Sequence, residues 1–168
     1  VKDAGLPEGA FRNLYATRSQ IELIINDARV QGVALTGSEG AGAVVASQAG
    51  KALKKSTLEL GGADAFVVLA DADLEQAAAT GALMYRNAGQ VCLAGTRFLV
   101  HAQVAEAFIA AMRAHVEKLN VGDPREEATE VGPIIHPRQL ERVAGFVERA
   151  VAAGARVLWG GARHAFGA

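Results

Sequence analysis

Three short stretches of the chain hold residues able to do chemistry. YRNAGQVCLAG (85–95) carries the only cysteine of the 168 residues, Cys92, flanked by Gly89 and Gly95. A thiolate attacks a carbonyl carbon well. A free thiol near neutral pH is only partly ionised, however, and needs a helix terminus, a cation or a base beside it. Gly89, Gln90 and Val91 place Cys92 on a bend after an alanine-rich helix, where backbone N–H groups and the Asn87 amide could meet a developing oxyanion. The plainer reading of a lone cysteine is a small buried hydrophobe, but such residues normally sit among branched apolar side chains rather than between glycines. Asn87 also reads as a helix C-terminal residue that tolerates left-handed geometry, and Arg86 as a cation complementing the helix dipole.

The second stretch is STLELGG (56–62), in which Glu59 stands on a short strand before two glycines. Those glycines would keep the space beside the carboxylate open. Partial burial would raise its pKa toward the working pH and suit it to general-base work. The alternation of Thr57 and Glu59 with Leu58 and Leu60 equally allows Glu59 to be the polar side of a half-buried strand. The third stretch, LTGSEGAG (35–42), runs from a strand through Gly37 and Ser38 into a helix containing Gly40 and Gly42. Unpaired N–H groups at that helix start would cradle a diphosphate, with small residues letting it come close. The GxGxxG dinucleotide spacing is absent, and a tight strand-to-helix turn explains the same residues.

These residues need elements to position them, and the pattern supplies an alternation of helices and short apolar strands. Strands are expected at 11–15 (FRNLY), 30–38, 56–62, 65–69 (AFVVL, uninterrupted and so buried on both faces), 96–101 and 155–159 (ARVLW, with Trp159 as strand packing). Helices are expected at 19–29, with Ile21, Ile24 and Ile25 on one face, and at 39–55, with Lys51, Lys54 and Lys55 in its last turn. A third runs from the Asp73–Gln76 capping box through Asn87, and two amphipathic helices cover 103–120 and 136–154, joined by the loop GDPREEATEVGP. Such alternation argues an α/β fold in which parallel sheets are flanked by helices.

Composition narrows the function classes. An apolar share of 51% with 21% charged residues is that of a packed globular chain. Seventeen basic against eighteen acidic side chains leave a formal charge of −1, so neither nucleic acid nor an anionic membrane surface is attracted globally, and no basic patch with interleaved aromatics occurs. No apolar run approaches the roughly 18 residues of a spanning helix. A single cysteine forms no internal disulfide, which fits a reducing compartment, and the expected location is cytoplasmic. Histidines 101, 115, 136 and 164 share no metal-ligand spacing, and a helix cap explains Asp73 better than a metal pair with Asp71. The turn-rich opening VKDAGLPEGAF and the ending GGARHAFGA read as the edges of an internal excerpt of a longer protein.

Taken in order, TGSxxxG, LELGG and NxGQxC resemble the NAD(P)-dependent aldehyde dehydrogenase superfamily, over a span from about Ala4 to Gly161. AGLPEGAF, ALKKSTLELGGADAFVVL followed by DADL, and YRNAGQVC are most similar to its succinate-semialdehyde dehydrogenase-like branch. The resemblance implies an oxidoreductase that converts an aldehyde, a semialdehyde first of all, to the acid with NAD or NADP. It implies that Cys92 is the nucleophile forming a thiohemiacetal and that Glu59 activates the water that hydrolyses the thioester. Gly37, Ser38 and Gly42 would fall on the cofactor-contacting turn, Leu60 and Gly61 beside the nicotinamide end. Arg86 would match an arginine that binds the substrate carboxylate, next to Asn87. Residues 1–60 would be the C-terminal part of the cofactor domain and 61–168 the N-terminal part of the catalytic domain of a homo-oligomeric parent, the excerpt alone being inactive.

One departure stands out. Glu59 and Cys92 lie 33 positions apart, one fewer than the family's spacing. A residue missing between Asp73 and Tyr85 would rotate everything after it by about 100° unless a bulge absorbs the change. A non-catalytic binding domain that kept the fold is the alternative that such a deletion favours, and a purely structural remnant is a second alternative.

Overall fold

The computed structural model describes residues 3–163, which divide between Gly61 and Gly62 into two compact units. In the first unit the order is α1 (Arg18–Asn26), β1 (Gly32–Gly37), α2 (Glu39–Lys51) and β2 (Lys55–Leu60). Thr17 caps α1 in a reciprocal capping box with Gln20. The two strands are parallel, with Leu35 opposite Leu58, Thr36 opposite Glu59 and Gly37 opposite Leu60. Helix α2 crosses over between them, as a parallel pair requires. Ile25, Val45 and Ala49 form the buried core, against which Val33, Leu35 and Leu58 pack.

The second unit contains β3 (Ala65–Val68), α3 (Leu74–Ala82), a tight 3₁₀ segment (Leu83–Gly89), β4 (Arg97–Val100), a 3₁₀ turn (Ala102–Val104), α4 (Ala105–Val116) and α5 (Pro137–Ala152). Strands β3 and β4 are again parallel and in register from Ala65 opposite Arg97 to Val68 opposite Val100. Val68, Ala78, Phe108 and Met112 are the buried core. Around it Phe66, Phe98 and Phe108 make tilted ring pairs at 5.1 and 5.8 Å. The α/β architecture with parallel sheets and flanking helices is as the alternation implies.

Several local expectations are corrected. Residues 11–15 form no strand: no neighbouring strand pairs with them among the described residues, and Tyr15 is 98% exposed. Residues 155–159 likewise have no ladder, although Trp159 does pack against the second core. The β3 run is buried on one face only. Val68 is 1% exposed, whereas its neighbour Val67, on the opposite face of the two-stranded sheet, is 59% exposed.

Helix α2 stops at Lys51, with Leu53 in the left-handed region, so Lys54 and Lys55 leave its last turn. Lys54 instead donates through Nζ to the carbonyls of Ile25 and Asp27, satisfying the end of α1. The helix opened by Asp73 ends at Ala82, not at Asn87, and Asp73 accepts from Gln76 N–H at 3.1 Å without the reciprocal half of the box. His164 lies outside the described residues, whereas His101 and His136 cap the helical segments that follow them and His115 sits 2.8 Å from Glu75. Among the described residues no helix is long and apolar enough to cross a membrane.

Candidate active site

In the first unit the candidate residues gather at the carboxyl ends of the two strands. Gly37 ends β1, Ser38 caps α2, and Glu59 and Leu60 end β2 beside them in register. This edge is where parallel α/β sheets bind ligands. Ser38 Oγ accepts from Ala41 N–H at 3.3 Å, and its carbonyl accepts from Gly42 N–H at 2.9 Å. The N–H groups of Glu39 and Gly40 find no acceptor among the described residues, and a Cβ on Gly40 would meet nothing within 4 Å. Two free donors at a helix start, with open space beside them, suit the diphosphate of a dinucleotide. Gly61 also faces open space. Gly42 does otherwise: it is buried, and a Cβ there would stand 2.8 Å from Leu60, so its lack of a side chain serves helix–strand packing.

Glu59 is exposed, contrary to the partial burial expected of it. It stands opposite Thr36, one position before the end of β2, and no described residue of this unit buries it.

In the second unit the remaining candidates share one bent segment. Helix α3 gives way after Ala82 to a tight turn in which Arg86 is extended (φ −56°, ψ 151°) and Asn87, Ala88 and Gly89 are all left-handed, with φ of 53°, 54° and 71°. Asparagine and glycine enter that region at least cost, and alanine carries the full steric penalty of its Cβ. The 100° rotation expected from a shortened helix presupposes an unbroken one. The chain leaves regular helix after Ala82, so the direction of residues 86–92 is set by this turn and not by a continuation of α3.

Cys92 follows as the first central residue of a β-turn closed by Ala94 N–H donating to Val91 O at 3.1 Å, and it is exposed. Arg86 and Asn87 are exposed on the same bend. Burial pushes the Tyr85 phenol above its ordinary pKa.

Residue reading alone missed the anchors of this turn. Met84 Sδ accepts from Gly95 N–H at 3.1 Å, and Gln90 bonds through its side chain to the 133–135 segment, more than forty positions away. A long carboxamide set in a run of small residues was the available signal for Gln90. Nothing in the sequence marks its partner.

A cleft of about 650 Å³ opens beside the bend, bordered by Asn87, Gln90 and the 124–135 loop.

The chain is 44% identical over 165 residues to the succinate semialdehyde dehydrogenase (NAD(P)+) Sad of Escherichia coli (strain K12), a match covering 98% of the chain and 36% of that protein. It is 43% identical over 158 residues to the succinate-semialdehyde dehydrogenase (NADP+) of Mycolicibacterium paratuberculosis, covering 94% and 34%. The crystal structure of succinic semialdehyde dehydrogenase from Streptococcus pyogenes in complex with NADP+ superimposes with a TM-score of 0.90 at 36% identity, over 98% of this chain and 36% of that one. The chain thus spans about a third of the length of the relatives it matches. The family model described as "Aldehyde dehydrogenase family" matches residues 1–167, and the chain belongs to that family.

Proposed function

We propose that this chain is part of an NAD(P)-dependent aldehyde dehydrogenase, of the EC 1.2.1 type, acting on succinate semialdehyde or a related semialdehyde. Residues 1–60 would be the end of its cofactor domain and 61–168 the start of its catalytic domain. The observation that carries the reading is the 44% identity across nearly the whole chain to a relative named for succinate semialdehyde and NAD(P)+. The exposed cysteine on its own turn supports it.

On this reading Cys92 Sγ attacks the aldehyde carbon. A C–S bond forms and the carbonyl π pair moves to oxygen, where the Asn87 amide stabilises the charge. A nicotinamide cofactor, when bound, would supply the acceptor for the hydride lost as the thiohemiacetal on Cys92 becomes a thioester. Glu59 then takes a proton from a water that attacks the thioester carbon, the C–S bond breaks, and Cys92 leaves as thiolate with release of the acid. Retention of this base favours hydrolysis over transfer to a thiol carrier. Arg86 pairs with the distal carboxylate of a semialdehyde. Gly37 and Ser38 shape the diphosphate end of the cofactor site, Gly42 seats the helix that carries it, and Leu60 and Gly61 lie at its nicotinamide end. The enzyme works as a cytoplasmic homo-oligomer, and the 168 residues by themselves do not turn over.

The test is a version extended to the length of its relatives, assayed with succinate semialdehyde for NADH or NADPH formation. Cys92→Ala should abolish turnover. Glu59→Gln should slow deacylation by roughly 10²- to 10⁴-fold, so that an acyl-enzyme accumulates and is seen by mass. Equal activity in both variants would remove the two assignments. Binding of nucleotide without turnover in the unsubstituted protein would favour the non-catalytic domain that the 33-position spacing raises as the alternative.

A further inference from the structure

Gln90 stands two residues before Cys92, and both ends of its carboxamide are engaged. Nε2 donates to Asn87 O at 2.8 Å and to Pro133 O at 3.5 Å, while Oε1 accepts Ile135 N–H at 2.9 Å. Its backbone N–H donates to Asn87 O as well, at 3.1 Å. The bend closed by these bonds is one the chain would not hold unaided, since three successive residues are left-handed and one of them is alanine. Beyond Cys92 the turn is fixed by Ala94 N–H on Val91 O and by Gly95 N–H on Met84 Sδ, with Ala94 itself buried. The thiol therefore rides on a short turn held at its far end by the core and at its near end by Gln90.

We propose that Gln90 is a positioning residue for Cys92, its carboxamide bolting the left-handed bend to the 133–135 segment so that the sulfur is presented in one fixed direction. This rests on Cys92 being the nucleophile. The chemistry is that of an adapter: a carboxamide donates and accepts at once, and no shorter or singly functional side chain joins the Asn87 carbonyl to the Ile135 N–H. Loss of the side chain would free the bend to relax out of its strained conformation and would leave the Ile135 N–H to solvent.

Hydrogen–deuterium exchange on the 168-residue chain tests this. Gln90→Ala should speed exchange at Ile135 and also at Ala94, two residues past the thiol, each by about tenfold, the effect of one net hydrogen bond. Gln90→Glu keeps the acceptor for Ile135 and loses the donor to Asn87, so it should protect Ile135 while Ala94 exchanges faster. Should Gln90→Ala not fold, Gln90→Asn, too short to reach Ile135, carries the same comparison. In the version extended to the length of its relatives, Gln90→Ala should lower kcat about tenfold with KM little changed, as expected when alignment of the attacking atom is lost. Faster exchange at Ile135 with Ala94 unchanged would show that Gln90 fastens only the distant loop, and would overturn the assignment. Faster exchange at both, in a protein that never turns over, would uphold the bolt and remove the nucleophile, so the two readings fail separately.

Discussion

Gly42 lies against Leu60 so closely that a Cβ added to it would stand 2.8 Å from one methyl of the leucine and 3.0 Å from the other. This contact seats helix α2 on strand β2 and fixes the height of the helix start above the strand ends that carry Glu59. Alanine at position 42 would gain up to about 1 kcal/mol of helix propensity, while forcing Leu60 off its packing costs about 1–3 kcal/mol. The clash should win. Gly42→Ala is expected to lower the stability of the first unit by about 1 kcal/mol, measured by urea denaturation. Because the obstacle is the Leu60 side chain, the same change in a Leu60→Ala background should cost less, or even stabilise. Equal costs in both backgrounds would place the obstacle elsewhere.

Leu53 occupies the position after the α2 cap that glycine usually fills. Its N–H donates to Gly50 O at 3.1 Å and Lys54 N–H donates to Ala49 O at 2.9 Å, the pair of bonds that defines a Schellman motif, with Leu53 at φ 55°. The side chain is 95% exposed, so nothing is lost by removing it. Leu53→Gly relieves about 1–2 kcal/mol of left-handed strain against a smaller unfolded-state entropy cost. A net stabilisation of about 0.5–1 kcal/mol should appear as a higher urea midpoint with unchanged slope; a lower midpoint would contradict the assigned geometry.

Asp27 and Arg29 predict a pH response. Hydrogen bonds from the Arg29 side chain and backbone, at 2.9 Å to Oδ1 and 2.7 Å to Oδ2, hold the Asp27 carboxyl well below the usual carboxylate range. A carboxylate depressed in the folded state contributes stability that is present above its unfolded pKa of about 3.9 and is lost as pH falls through the lower folded value. The difference in stability between the native chain and Asp27→Asn should therefore be flat above about pH 5 and shrink toward zero as pH falls below about 4. Arg29 is exposed and Asp27 only half-buried, so the plateau should be small and should narrow with added salt. A difference that grew on acidification would reverse the sign of the interaction.

What the sequence made legible follows the range of the forces involved. Asp73 before Gln76 is a cap whose donor and acceptor lie within three positions, and that half of the expected capping box forms while the reciprocal half does not. The parallel pairs were legible because a strand–helix–strand alternation leaves little other arrangement. Strand character at 11–15 and 155–159 was not decidable, because a strand needs a partner and an alternating apolar run says nothing of whether one is present. Exposure of Glu59 and Val67 was missed for the same reason, since both depend on what covers a face and not on the residue's own type. Around Cys92, Asn87 and Gly89 announced the bend. Ala88 concealed how tight it is, and Ile135 was invisible as a partner of Gln90.

Ala88 gives the most direct check on that bend. It is half-buried at φ 54° between Asn87 at 53° and Gly89 at 71°, the one residue of the three with neither an amide side chain nor freedom from a Cβ. In that left-handed run Ala88→Gly should remove about 1–2 kcal/mol of local strain while adding about 0.4–1 kcal/mol of unfolded-state entropy, for a net gain of about 0.5–1 kcal/mol. Ala88→Val, with a branched Cβ in the same conformation, should lose more than the glycine variant gains. Thermal denaturation of the two variants reads both signs at once. An unchanged melting temperature for glycine together with a tolerated valine would mean that residues 86–89 continue the helix of α3, and the thiol would then point in a direction that the Gln90 bolt does not set.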